Sequence, residues 1–314
     1  MKRAFVFPGQ GSQAPGMGRE LAAAFSVARY LFEEVDEALS QRLSRLMFEG
    51  PESELILTEN AQPALMAASL AVIRVLESEG GLECGKHLAY VAGHSLGEYS
   101  ALAASRALTV ADAARLLRRR GQAMQQAVPV GEGAMAALLG IELDAARQVA
   151  EEAGRGDLVC AVANDNAPGQ IVVSGHRGAV ERAVALAAER GSRRSIMLPV
   201  SAPFHCPLLA PAAAVMAEAL GETEIRPPLV PLVSNVTAEP TSDPEEVARL
   251  LVEQVTAMVR WRETVEYFAR NEVEEVVEIG SGRVLAGLVK RIDRDIAASS
   301  VGAPAEVEAL MRRL

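Results

Sequence analysis

The sequence predicts an α/β fold, with helices packed on a mainly parallel sheet and a smaller inserted unit of βαββαβ order. Three observations predict it. Half of the 314 residues are hydrophobic but only 4% are aromatic, so the apolar content is mostly Ala, Val and Leu, which suits helices covering buried strands. Short apolar runs such as Ala4–Phe7, Leu88–Ala92 and Val273–Ile279 alternate with longer stretches of helical period. Between residues 128 and 200 the texture changes to short strands and helices that complete a ferredoxin-like set within about seventy residues.

Ala4–Phe7 reads as a buried strand and Pro8–Gln13 as the loop leaving it. Residues 20–57 carry helical periodicity broken at Gly50-Pro51, and Gln62–Glu79 reads as a long apolar helix with Pro63 near its first turn. Leu88–Ala92 is the next strand, Glu98–Ala104 a helix, and Val110–Val128 another helix. The inserted unit then reads as strand Ala134–Ile141, helix Leu143–Ala153, strands Leu158–Ala163 and Gln170–Gly175, helix Ala179–Arg190 and strand Ser195–Val200. Val128-Pro129-Val130-Gly131 and Ala202-Pro203 serve as hinges, which divides the chain into a large unit of residues 1–127 and 201–314 and a small one of 128–200. The large unit resumes with helix Leu208–Leu220, strand Leu229–Ser234, helix Pro244–Glu253, strand Val273–Ile279 and helix Val284–Ile292.

Composition excludes several functions. A formal net charge of −10 argues against nonspecific nucleic-acid binding, which needs a basic footprint to displace counterions. Cys84, Cys160 and Cys206 lack CxxC spacing and suggest a reducing compartment. The first apolar stretch is too short for a signal peptide and no run is long enough to span a bilayer, so a cytoplasmic protein free of membranes, and a monomer, is expected. Gly9, Gly11 and Ala14 fit a GxGxxA dinucleotide pattern, but Pro15, Gly16 and Gly18 follow where the phosphate-binding helix would continue. Gly280-Ser281-Gly282 lacks the third small residue, so neither stretch implies a nucleotide cofactor, and no cofactor or metal is expected.

The chemistry centres on Gly93-His94-Ser95-Leu96-Gly97, a GxSxG pentapeptide between a strand and a helix. Its glycines permit a strained turn that lifts the Ser95 hydroxyl clear of the sheet, and the helix start leaves the Leu96 N–H aimed at a developing oxyanion. Leu116, Leu117, Arg120 and Met124 share one helix face, so Arg120 sits on an apolar stripe while Arg118 and Arg119 turn elsewhere. A charge on such a face requires a partner: either a salt bridge at the rim of the core or a substrate carboxylate held by the planar guanidinium. Of four histidines, His205 lies in a loop pinned by Pro203 and Pro207 and could serve Ser95 as base. Asp157 and Asp165 are the acidic candidates to orient it, with a carbonyl as the milder alternative.

Phe7–Gln13, Gly93–Glu98, Arg120–Met124, Asn164–Gln170, Pro203-Phe204-His205 and Val276–Gly280 together resemble the ordered motifs of malonyl-CoA:acyl carrier protein transacylases across nearly the whole chain. The resemblance implies an α/β-hydrolase-like large subdomain carrying the ferredoxin-like insertion. It further implies that malonyl-CoA acylates Ser95, that His205 accepts the proton, and that the acyl group passes to acyl carrier protein in fatty acid or polyketide synthesis. Backbone N–H groups of Gln10 and Leu96 would form the oxyanion hole, Arg120 would bind the malonyl carboxylate, and carbonyls near Gln254 would orient His205. Phe204 would exclude a branched acyl group, and Met124 and Asn166 count among the substrate-binding positions. Met258 replaces the proline usual before Val259-Arg260-Trp261, which predicts a looser loop after Gln254, and Ser281 replaces the middle of a Gly-Pro-Gly. Because acyl carrier proteins are acidic, Arg193 with Arg194, or Lys290 with Arg291 and Arg294, are docking candidates. A serine esterase or thioesterase would need the same elbow and base but no Arg120, and a non-catalytic docking module would need neither Ser95 nor His205.

Overall fold

The computed structural model describes all 314 residues. Ten strands form two sheets: β1 Arg3–Phe7, β2 Tyr90–Gly93, β3 Gly133–Leu139, β4 Cys160–Ala167, β5 Gln170–His176, β6 Arg194–Met197, β7 Leu232–Val233, β8 Pro240–Thr241, β9 Glu275–Ile279 and β10 Ala297–Val301. The larger sheet has the order β10-β9-β1-β2-β7-β8, parallel except for the edge pair β7 and β8. Central β1 is buried throughout, and its period of two splits the core. Phe5 and Phe7 join the larger cluster under the helices Thr58–Ser78 and Val110–Ala127. Ala4 and Val6 face the opposite cluster with Trp261 and Phe268.

The smaller sheet is antiparallel, order β4-β5-β3-β6, with helices Leu143–Ala153 and Arg177–Glu189 packed on it. Its chain order is the expected βαββαβ. The end of β4 ties this unit to the large one. The Val259 N–H donates to the Ala163 carbonyl at 2.9 Å and the Asp165 N–H to the Val259 carbonyl at 3.0 Å. The Arg262 guanidinium meets the fully buried Asp165 carboxylate at 2.8 Å. These bonds fix the loop after Gln254 through its backbone, so Met258 in place of proline does not leave it untethered.

Several elements differ from the expectation. The helix over 62–79 begins at Thr58, so Pro63 lies inside it; only the bond to the Glu59 carbonyl is forfeited, on a helix whose buried apolar faces hold it in place. The strand over 229–234 shrinks to two residues because Pro231 has no N–H and only accepts, from the Val91 N–H at 3.0 Å. Helix Trp261–Arg270, strand β10 and helix Pro304–Met311 are additions. The first carries a legible period, with Trp261, Thr264, Val265 and Phe268 buried, whereas Ala297–Val301 is a small, partly exposed edge strand without an apolar signature. No helix is long and apolar enough to cross a membrane.

Arg262→Ala would strand the Asp165 carboxylate in the seam between the two units. A loss of about 2–4 kcal/mol in urea unfolding is expected, part of it recovered when Asp165→Asn is added. A loss within about 0.5 kcal/mol would contradict the tether.

Candidate active site

The GxSxG turn is dictated by contact distances. A Cβ on Gly93 would fall 1.8 Å from the Gly97 carbonyl carbon, and one on Gly97 would fall 2.2 Å from the Phe7 carbonyl oxygen. Only glycine lets β2 pass so closely under the elbow helix Gly97–Ala104 and lets that helix approach β1. Ser95 between them has φ 54°, the left-handed strain expected of a nucleophile elbow. Asn235, in the turn after β7, staples the strained residue: its Oδ1 accepts the Ser95 N–H at 2.7 Å and its Nδ2 donates to the Gly93 carbonyl at 2.7 Å. The N–H groups of Gln10 and Leu96 find no partner within the protein, which leaves them available to a ligand oxygen. The Gln10 side chain is occupied, accepting from Thr58 Oγ1 at 2.9 Å.

His205 is buried, and its own φ is 56°. Its Nδ1 lies 2.8 Å from the Gln254 carbonyl, which can only accept, so Nδ1 carries the hydrogen and Nε2 is left as acceptor for the Ser95 hydroxyl at 2.8 Å. Burial, reinforced by the nearby Arg120 charge, pushes the imidazole down to about 3. Neither acidic candidate is used. Asp165 is the partner of Arg262, and Asp157 lies exposed in the turn before β4. The carbonyl alternative is the one observed, and it makes a mild base.

Arg120 is 2% exposed and has no carboxylate partner, whereas neighbouring Arg119 pairs with Glu218 and Glu222. Its polar contacts are neutral: Gln62 Oε1 at 2.8 Å, Gln254 Oε1 at 2.8 Å and Ser95 Oγ at 3.1 Å, with the Tyr99 ring 5.7 Å from its Cζ. Its Nε has no partner. The helices carrying Arg120 and Gln62 meet at Gly121, where a Cβ would fall 2.5 Å from Glu59 Cα. Gln254 spans the site, its Nε2 donating to the Ser95 carbonyl at 3.0 Å and to fully buried Glu98, its backbone carbonyl holding His205. Burial pushes the Glu98 carboxyl up to about 7, against the Asn235 N–H that it accepts at 2.6 Å.

The other predicted positions fall around this network. Leu96 caps the elbow helix. Phe204 packs against both the large core and the small-sheet cluster of Met135, Ala163 and Val172, at the junction of the two units. Asn166 is half-buried and its Oδ1 accepts from His94 Nε2 at 2.8 Å, while His94 turns away from Ser95 toward Trp261. Met124 is 1% exposed with its sulfur 3.7 Å from the Gln62 amide, so it backs Gln62 from within the core. Ser281 donates to the Ser12 carbonyl at 2.7 Å. Sequence reasoning missed Gln62, Glu98, Tyr99 and Asn235. A buried polar residue on an apolar helix, the signal that marked Arg120, would have found Gln62 and Glu98; Asn235 sits in a turn and carries no such signal.

An elbow serine paired with a carbonyl-oriented histidine, beside a buried and unmatched arginine, defines a serine-dependent site of the acyl-transfer class. The family model described as acyl transferase domain matches residues 4–311. Among curated relatives, malonyl CoA-acyl carrier protein transacylases of Bacillus subtilis and Escherichia coli K12 are each 44% identical, over 100% and 98% of this chain and 97% and 98% of theirs. Among solved structures, an acyl-carrier-protein S-malonyltransferase from Bartonella henselae superposes with TM-score 0.97 at 54% identity, covering 100% of this chain and 99% of that one. A malonyl-transacylase solved in complex with its type II polyketide synthase acyl carrier protein superposes with TM-score 0.96 at 40% identity, covering 100% of both chains. The chain belongs to the acyl transferase domain family, among its malonyl-CoA:acyl carrier protein transacylases.

With a pKa of about 3 against 6.5 for a free imidazole, His205 is in its base form throughout the neutral range. The saturating rate of Ser95 acylation is expected to stay flat from about pH 8 to about pH 5, measured by rapid quench. The same depression makes the unfolded chain bind more protons, so stability falls as pH falls from about 6.5 toward about 3. A sigmoidal loss of the saturating rate centred near pH 6.5 would contradict the buried, neutral base.

Proposed function

We propose that this protein transfers a malonyl group from malonyl-CoA to the phosphopantetheine thiol of acyl carrier protein by a ping-pong route through a Ser95 ester. The observation that carries the reading is the fully buried Arg120, which has only neutral partners and lies 3.1 Å from the nucleophile. A desolvated guanidinium with spare hydrogen-bonding capacity beside the acylation point selects an acyl group that brings its own carboxylate. The relatives support the same substrate pair, since they are malonyl CoA-acyl carrier protein transacylases and one was solved with its polyketide carrier protein. Fatty acid or polyketide synthesis is the setting.

In this reading the Ser95 hydroxyl gives its proton to His205 Nε2 as its oxygen attacks the thioester carbon. The oxyanion is held by the Gln10 and Leu96 N–H groups, and coenzyme A leaves as the thiol after taking that proton. The carrier thiol then repeats the steps in reverse on the ester. Gln254 acts as the positioning residue of both His205 and Arg120, and Phe204 fills space at the junction against branched acyl groups. No cofactor is called for, because coenzyme A enters as substrate. The two sheets are read as an α/β-hydrolase-like subdomain of residues 1–127 and 201–314 and a ferredoxin-like one of 128–200, with the acyl group lodged between them. Three free cysteines accord with a cytoplasmic setting.

The two basic docking candidates fall close together. Arg193 packs over Gly140, whose N–H bonds the Gly169 carbonyl at 2.7 Å, and the next residue, Gln170, accepts from Arg291 at 3.0 Å. An acidic carrier protein fits such a surface on an acidic enzyme.

Intact-protein mass spectrometry after brief exposure to malonyl-CoA tests the reading. A malonyl adduct is expected on the wild type and not on Ser95→Ala, and it is expected to discharge onto added holo carrier protein. Reversing charge at Arg193 and Arg291 together is expected to slow discharge at least tenfold while leaving loading unchanged. Free malonate forming in place of carrier loading would support a thioesterase instead.

A further inference from the structure

Glu98 is the buried group that the acyl-transfer reading leaves without a role. It lies in the first turn of the elbow helix, wholly inaccessible, among groups that treat it as an anion: Asn235 N–H donates to one oxygen at 2.6 Å and Gln254 Nε2 to the other. It makes no ion pair with Arg120. The Gln254 side chain stands between them instead, its Nε2 on Glu98 and its Oε1 2.8 Å from Arg120 Nη2. One amide dipole is thereby clamped between a buried anion and a buried cation, oriented by both.

The charges facing Glu98 are few. Arg120 comes from helix Val110–Ala127 and Tyr99 from its own helix. Gln254, from helix Pro244–Gln254, and Ser234 with Asn235, after β7, supply neutral dipoles. His205, bonded to the Gln254 carbonyl, is neutral. Whenever Glu98 is ionised, the site of the free enzyme holds one cation and one anion. A substrate carboxylate arriving at Arg120 adds a second anion to a volume with a single cation, and two desolvated carboxylates sharing one counter-charge do not both remain ionised.

We propose that Glu98 is the counter-charge that the substrate's carboxylate replaces: linked to Arg120 through Gln254 in the empty site, it takes one proton from solvent when that carboxylate binds. Charge then balances before and after binding. Glu98 is in this sense a positioning residue and a proton acceptor linked to selectivity; it never touches the acyl group. Its burial-raised affinity for a proton, poised near neutrality, lets this uptake occur at low cost. The proposal rests on Arg120 as the site of the substrate carboxylate.

Linkage gives the sign. Where free-enzyme Glu98 is already protonated, binding is independent of pH. Where it is ionised, binding must recruit a proton, so the KM for malonyl-CoA rises with pH by up to about tenfold per unit. Acetyl-CoA shares the coenzyme A phosphates and lacks the carboxylate, which makes it the control. The test measures acylation by both thioesters from about pH 6 to about pH 9 on wild type and Glu98→Gln. The expected result is a rising malonyl-CoA KM in the wild type, a flat acetyl-CoA KM, and a flat malonyl-CoA KM in Glu98→Gln. The same slope in Glu98→Gln, or no slope in the wild type, would overturn the proposal. Should Glu98→Gln fold poorly, Ser95→Ala provides the readout: calorimetric titration with malonyl-CoA near pH 8.5, in buffers of different ionisation enthalpy, is expected to show uptake of about one proton, and acetyl-CoA none. Zero uptake with malonyl-CoA overturns it equally. Malonyl selectivity that survives Arg120→Ala would instead overturn the underlying assignment of Arg120, whatever the pH slope.

Discussion

The architecture of the site follows from one constraint, a guanidinium held in the core without an ionic partner. A buried arginine ordinarily recovers its desolvation by meeting a carboxylate, and here the protein supplies two side-chain amides and a hydroxyl in place of one. Amides hold the guanidinium in position without neutralising it. Much of the surrounding sequence serves that arrangement: Gly121 brings the two long helices close enough for Gln62 to reach, and Met124 backs Gln62 from below. In the proposed reading, a closer anionic partner would stabilise the free protein and occupy the place reserved for the substrate's carboxylate.

Gln254 is where this constraint meets the chemistry. Its carbonyl sets the tautomer of His205, its side chain joins Arg120 to Glu98, and the same side chain donates to the Ser95 carbonyl. A displacement of this one residue would move base, clamp and elbow together. The choice of a carbonyl over a carboxylate leaves His205 a weaker base, suited to an ester that has to wait for a thiol in preference to water. The small sheet is bonded to the same region through Ala163, Asp165 and Asn166, by main-chain and side-chain contacts together.

Much of this was legible in the sequence, for identifiable reasons. The elbow shows because close backbone contacts admit only glycine at 93 and 97, and the antiparallel sheet β3–β6 shows because short apolar runs alternate with two helices of clear helical period. Arg120 shows because a charge interrupts an apolar stripe. Asn235 was invisible: its partners are backbone groups 140 and 142 positions away, and nothing local marks a turn asparagine as a clamp. Asp157 and Asp165 are acidic candidates because triad chemistry favours a carboxylate, but the orienting oxygen is the main-chain carbonyl of Gln254, the alternative that only the family resemblance places near that residue. Asn166 and Met124 lie on the predicted stretches, where Asn166 bonds His94 and Met124 bonds Gln62.

The central claim is that Arg120 is kept unmatched in order to receive a carboxylate. Its most direct test compares acylation of Ser95 by malonyl-CoA and acetyl-CoA in wild type, in Arg120→Ala, and in Arg120→Ala combined with Glu98→Gln, where both buried charges are gone. The account predicts that malonyl preference falls by about two orders of magnitude in both variants, the worth of a charge-assisted bidentate contact, while acetyl transfer is retained or improved. Malonyl preference preserved in the double variant would contradict it.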